Sequence, residues 1–241
     1  MAGVAARQDA IAEEDLFRAR FWGLFATLLS AAPDPAVLAD VARLRGAGDD
    51  SGDDSGDDSG DDDGKNGDID GDDFGAALTA LGRAAGDAPG AALEGEFHDL
   101  FIGVGTGELV PYASYYLTGF LQEKPLADLR DDMARLGIAA ADDSSEPEDH
   151  IAALSEMMAG LITGGFGAPA DLATQRDFFR THLQSWAPRF FQDLEAAKTA
   201  DFYAHVGRLG RLFLAIETQA FAMGPGQPGT EFDSAGHGRL T

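Results

Sequence analysis

Ser145-Glu146-Pro147-Glu148-Asp149-His150-Ile151-Ala152-Ala153-Leu154-Ser155-Glu156-Met157-Met158 commits this chain to helices. Ser145 and Glu148 have the S-x-x-E spacing of a capping box, and Pro147 suits a first helical turn, where its missing N–H costs nothing. Glu148 and Asp149 then lie beside the positive end of the helix dipole. Ile151, Leu154, Met158 and Leu161 follow at helical spacing, so one face belongs to a core. Asp149 and His150 are therefore expected at a helix mouth, where outward-pointing backbone donors can hold an anion or a peptide carbonyl. A plainer reading makes the acids dipole partners and His150 a capping residue, and the residues by themselves favour it.

The same period runs through the chain, and strand-like alternation is nearly absent. Phe17, Phe21, Leu24 and Leu28 make a first stripe that should stop before Pro33. Asp34-Pro35 restarts a helix through Val37, Leu38 and Val41 to about Arg45. Further stripes follow from Phe74, after Pro89 and from about Pro125 to Leu136. The clearest is Phe202, Val206, Leu209, Phe213, Ile216 and Ala220. Pro188 marks either a kink or a new helix capped by Ser185. The glycines of Ile102-Gly103-Val104-Gly105-Thr106-Gly107 follow a helix rather than a strand, so they read as a helix stop and not as a dinucleotide fingerprint. The expected fold is all-α, one domain of about ten helices over 1–223, with a loose tail at 224–241.

The charge is −25 over 241 residues and is unevenly spread. Between Asp49 and Asp73 thirteen Asp and one Lys carry −12, leaving −13 elsewhere. The stretch 46–73, with three tandem Asp-Asp-Ser-Gly units, has almost nothing to bury and repels itself, so it is expected to be a disordered insert whose Gly48–Asp72 part is dispensable for folding. Its Asp62–Asp73 part resembles a calcium loop, but the third position is Gly and the twelfth is Asp, which favours diffuse cation binding over a folded site. Nucleic acid is excluded as a partner, because phosphate contacts need clustered Lys and Arg; cationic partners are favoured. With no cysteine there is no disulfide and no thiolate chemistry. Neither a secretory signal nor an apolar run of membrane-spanning length is visible, and a cytoplasmic protein is expected.

Little points to catalysis. The five histidines form no H-E-x-x-H pattern and no E-x-x-H pair, and no G-x-S-x-G elbow exists. No catalytic residue and no metal ligand is assigned. An acid–base pair of Asp149 and His150 is the minority enzyme reading. Pro111-Tyr112-Ala113-Ser114-Tyr115-Tyr116-Leu117 gathers three tyrosines, either ordinary core packing or an amphipathic wall suited to a peptide.

Three stretches combine into a family pattern: Glu96-Phe97-His98-Asp99-Leu100-Phe101-Ile102-Gly103, Pro111 to Leu117, and Glu146-Pro147-Glu148-Asp149-His150-Ile151. In their order and spacing they resemble the TorD/DmsD family, cytoplasmic chaperones of molybdenum enzymes related to the NarJ-type nitrate reductase assembly proteins. Phe179 to Trp186 and Phe202-Tyr203 look like the second half of the same family, so the match spans about Leu16 to Glu217. The resemblance implies a non-enzymatic, all-helical domain that binds the twin-arginine signal peptide of a molybdopterin oxidoreductase precursor and assists cofactor insertion before export. By the same resemblance the signal-peptide site carries over at Leu100, Phe101, Pro111, Tyr112, Ser114, Tyr115, Glu146, Asp149 and His150. Tyr112-Ala113 stands where DmsD-like members have Trp-Gly, so the client enzyme is left open. So is a NarJ-like role on a reductase subunit that is not exported. No cofactor is expected beyond the weak guanine-nucleotide binding of some members. The family also leaves both a monomer and a domain-swapped dimer open.

Overall fold

A computed structural model describes residues 11–46, 71–88, 90–103, 106–139 and 146–223. Ten α-helices and one π-helical turn make up this part: α1 (Glu13–Ser30), α2 (Pro35–Val41), α3 (Gly71–Asp87), α4 (Gly90–Phe97), the π turn (His98–Ile102), α5 (Ala113–Thr118), α6 (Lys124–Leu136), α7 (Ile151–Thr163), α8 (Leu172–His182), α9 (Ala187–Glu195) and α10 (Phe202–Met223). Among the described residues there is no strand, and one isolated antiparallel bridge joins Tyr112 to His150. The all-α expectation and the helix count hold.

Local chemistry sets most boundaries as the sequence implies. The Asp34 carboxylate accepts from the N–H groups of Ala36 and Val37 at 2.8 and 2.9 Å, capping α2 over Pro35. Glycines in the left-handed region end α5, α6 and α7 at Gly119, Gly137 and Gly164. Gly103 ends the π turn with φ +58°, where a Cβ would meet Thr106 O at 2.2 Å. Pro188 starts a new helix, and the residue at its cap is Trp186 rather than Ser185.

Several expectations are corrected. α2 stops at Val41 instead of running to Arg45. α3 begins at Gly71, so Gly71, Asp72 and Asp73 are helical rather than insert, and the acids sit in its first turn. Gly46 is likewise tied down, donating to Thr79 Oγ1 at 2.9 Å. The remainder of the insert, its calcium-loop resemblance and the tail lie outside the described residues. On α1 the buried face is Phe21, Trp22, Phe25, Leu28 and Leu29, while Phe17 is half exposed.

One contiguous core joins these helices: α1 packs on α7, and α10 lies against α9 and α3. Inside it sits a polar knot. Glu217, 1% exposed, accepts from Arg18 Nε and Nη2 at 2.6 and 2.9 Å and from Trp22 Nε1 at 3.1 Å. Arg18 also donates to Asp15 and to Gln175, and its guanidinium lies 4.9 Å from the Phe221 ring centre. Four of the five guanidinium N–H donors are used and the Glu217 carboxylate accepts three bonds, the dense pairing that a buried ion pair requires.

Candidate functional site

α7 begins at Ile151, four residues after Pro147, because Pro147 to His150 form a turn closed by His150 N–H donating to Pro147 O at 3.2 Å. His150 is the cap: its Nδ1 accepts from Ala152 N–H at 3.1 Å. That bond fixes the neutral tautomer with the proton on Nε2. Burial pushes the imidazole down to about 4, against the pull of Glu146 and Asp149, so it stays neutral near pH 7. The plainer capping reading describes this residue. Ser145 lies outside the described residues, so the expected capping box has no structural counterpart.

Glu148 and Asp149 are not dipole partners. Glu148 accepts from Arg130 Nη2 and Nε at 2.7 and 3.0 Å; despite the desolvation that would raise it, this bond holds its carboxyl below the usual range. Asp149 is 1% exposed, and its Oδ2 accepts from Ser114 N–H at 2.8 Å and from the Ser114 hydroxyl. Its main-chain oxygen accepts from Ala113 N–H at 3.0 Å, and Ile151 N–H donates to Pro111 O at 2.9 Å. This four-bond seam joins the entry of α5 to the entry of α7. It places the Tyr112 ring 4.9 Å from the His150 ring, edge to face, with the Tyr112 hydroxyl donating to Glu146. Burial and then Glu146 push the phenol up, so Tyr112 remains a donor.

On the outer side of that seam lies a groove of about 770 Å³ between α1, α7, the α4–π-turn segment and the end of α6. Of the nine residues expected in a site, Phe101, Pro111, Tyr112, Glu146 and His150 line it. Leu100, Ser114 and Asp149 are buried behind it, and Tyr115 is exposed outside its lining. Residues that sequence reasoning passed over complete the walls, including Ile102, Met133, Ile138, Glu156, Met157 and Phe166. Their helical spacing on α7 (His150, Ala153, Met157) was the available signal. Phe166 has none: its ring rests where a Gly160 side chain would be, 2.3 Å from the position of a Cβ.

The aromatic wall is itself braced from afar. Phe101 packs edge-on against Phe97 and Tyr203, with ring centres 5.0 and 5.5 Å apart. Glu96, one residue before Phe97, accepts from the N–H groups of Asp201, Phe202 and Tyr203 at the start of α10. Glu108 does the same for Lys198 and Thr199, bonds that hold its carboxyl below the usual range. Asp149 and His150 make no hydrogen bond to each other and each is spent on main-chain anchoring, so they are not an acid–base pair. Among the described residues no cluster could hold a metal ion, and no helix is long and apolar enough to cross a membrane.

Compared with known proteins, residues 70–192, half of the chain, match the family model described as nitrate reductase delta subunit. The chain belongs to this family. It is 32% identical over 138 residues to the chaperone protein TorD of Vibrio atlanticus (strain LGP32), and equally to that of Aliivibrio salmonicida (strain LFI1238). Each alignment covers 54% of this chain and 64% of the relative, so just under two thirds of those chaperones is represented. A crystal structure assigned to a redox enzyme maturation protein of Archaeoglobus fulgidus is 22% identical, with a TM-score of 0.49 over 82% of this chain and 93% of that one. The resemblance drawn from the three motifs therefore holds at the level of the family. These relatives are named chaperones or maturation proteins rather than enzymes.

Proposed function

We propose that this chain is a cytoplasmic chaperone of a molybdopterin oxidoreductase, and that the groove beside α7 takes the client's twin-arginine signal peptide. One observation carries the reading: a groove with aliphatic and aromatic walls has carboxylates on its rim, on a chain whose net charge is −25. A twin-arginine signal presents a cationic segment followed by a moderately apolar one, and both halves find a complement. His150 contributes a neutral Nε2–H at the groove edge, a donor for a peptide carbonyl that does not repel arginine.

The test is calorimetric titration of the full chain with a twin-arginine signal peptide and with a peptide whose apolar segment is replaced by Ser and Gly. Ile102 is more than half exposed and Phe166 over a third, so Ile102→Ser and Phe166→Ser spare the core. Each should weaken the intact peptide by about ten-fold, the worth of burying part of one such side chain. Parent-like binding by both variants places the peptide elsewhere. The family description favours one second reading, an assembly factor for a reductase subunit that is not exported. Under it the chain captures that subunit with its leader removed and ignores the free peptide.

A further inference from the structure

We infer that Glu156 is the residue of the groove that reads the cationic part of the bound peptide, taking one guanidinium and setting a preference for arginine over an uncharged side chain. The inference rests on the peptide-groove reading above. Three carboxylates line the groove, and two are already engaged: Glu148 is paired with Arg130, and Glu146 accepts from Tyr112. Glu156 is exposed and has no ion pair or hydrogen bond to any described residue. It is also the only charged residue of α7, on a helix whose other members are apolar, small or hydroxylic.

Nothing in the fold calls for a carboxylate at that position. It lies six residues past the cap, about 9 Å along the axis, beyond the first turn where a negative charge favours the helix dipole. No basic residue stands three or four positions away on α7 to pair with it. Its groove-lining neighbours Ala152, Ala153 and Ala159 are small, which leaves room around the carboxylate for a planar group. Met157, with Ala26 and Leu29 of α1, supplies an apolar surface on which the faces of a guanidinium lie better than a strongly hydrated ammonium. A bound peptide would cover Glu156 and strip water from the pair, turning a weak surface contact into a charge-assisted one.

The experiment is calorimetric titration of full-length parent, Glu156→Gln and Glu156→Lys with a twin-arginine peptide and with the same peptide carrying two glutamines. The parent should favour the arginine peptide by ten-fold or more. Glu156→Gln should lose about ten-fold for the arginine peptide alone, with a shallower salt dependence, and bind the glutamine peptide as the parent does. Glu156→Lys should lose more. Equal weakening of both peptides by Glu156→Gln, or none, overturns the role of Glu156 while leaving the groove intact. If the parent binds neither peptide, the groove reading and this inference fall together. Superposable thermal melts of the three proteins establish that the variants are folded, as an exposed position requires.

Discussion

Replacing Asp149 with Ala should unfold the protein several degrees early, and the reason is Ser114 rather than a ligand. Ser114 is fully buried, and both its N–H and its hydroxyl donate to one oxygen of Asp149. Removing the carboxylate strands two buried donors, each worth about 1–3 kcal/mol. Part of this is returned, because Asp149 Oδ1 is buried without a hydrogen-bond partner among the described residues and that cost disappears with it. A net loss of about 3 kcal/mol is expected. For a chain of this size each kcal/mol is worth about 2–4 °C, so the melting temperature should fall by about 6–12 °C. Ser114→Ala removes only the hydroxyl bond and should cost about 1.5 kcal/mol. The assay is thermal melting at 222 nm, with urea midpoints for the two single variants and the double variant. A solvent-facing Asp149 at a helix mouth would cost about 0.3–1 kcal/mol. A melting temperature within about 1 °C of the parent refutes the seam. So do effects of Ser114→Ala and Asp149→Ala that add to within about 0.3 kcal/mol. Any peptide binding lost in Asp149 variants should accordingly be charged to a displaced α5.

Because the folded pKa of His150 lies below its unfolded value, stability should be complete above about pH 6.5 and drain away as pH falls toward 4. Parent and His150→Asn, which keeps a capping acceptor but cannot titrate, should diverge there by up to about 3 kcal/mol; parallel urea midpoints between pH 7 and 4 would refute this. Glu217→Ala should cost about 3–5 kcal/mol by leaving Arg18 and Trp22 Nε1–H without their acceptor, read as a melting temperature lower by at least 6 °C. Gly160→Ala should leave the fold as stable or slightly more so, since Ala favours helix by up to about 1 kcal/mol, yet weaken peptide binding by evicting Phe166 from its seat. Unchanged affinity would show that the ring is not a wall of the site.

What could be read from the sequence was what neighbours along the chain decide. Asp34-Pro35, the glycine stops and the 3.6-residue stripes are local signals, and the helices follow them to within a few residues. Residues whose roles depend on distant partners were misjudged or missed. Asp149 reads as a dipole partner in the sequence because the hydroxyl that bonds it is 35 positions upstream. Pro147 reads as a first-turn proline, but Pro147 to His150 form a turn and the bridge from Tyr112 holds His150 extended, so α7 begins only at Ile151. Phe17 reads as core in the sequence, but α1 carries apolar residues on several sides, and its packing on α7 and α10 buries Trp22 and leaves Phe17 half exposed. In the groove, five members carried over from motif resemblance lie together, whereas Glu156 and Phe166 become visible only when α7 and its following loop are seen in space.

The bonds from Glu96 and Glu108 to the entry of α10 also bear on the order of events during synthesis. The aromatic wall around Phe97 and Phe101 is braced by residues 198–203, which leave the ribosome about a hundred residues later. Arg18 and Trp22 wait longer still, for Glu217. A chain emerging from its N-terminus therefore acquires these braces last. Until α10 is made, Glu96 and Glu108 lack the main-chain donors that brace the segment carrying Phe97 and Phe101. The aromatic wall of the groove is therefore among the last parts of the fold to gain its full set of contacts during synthesis.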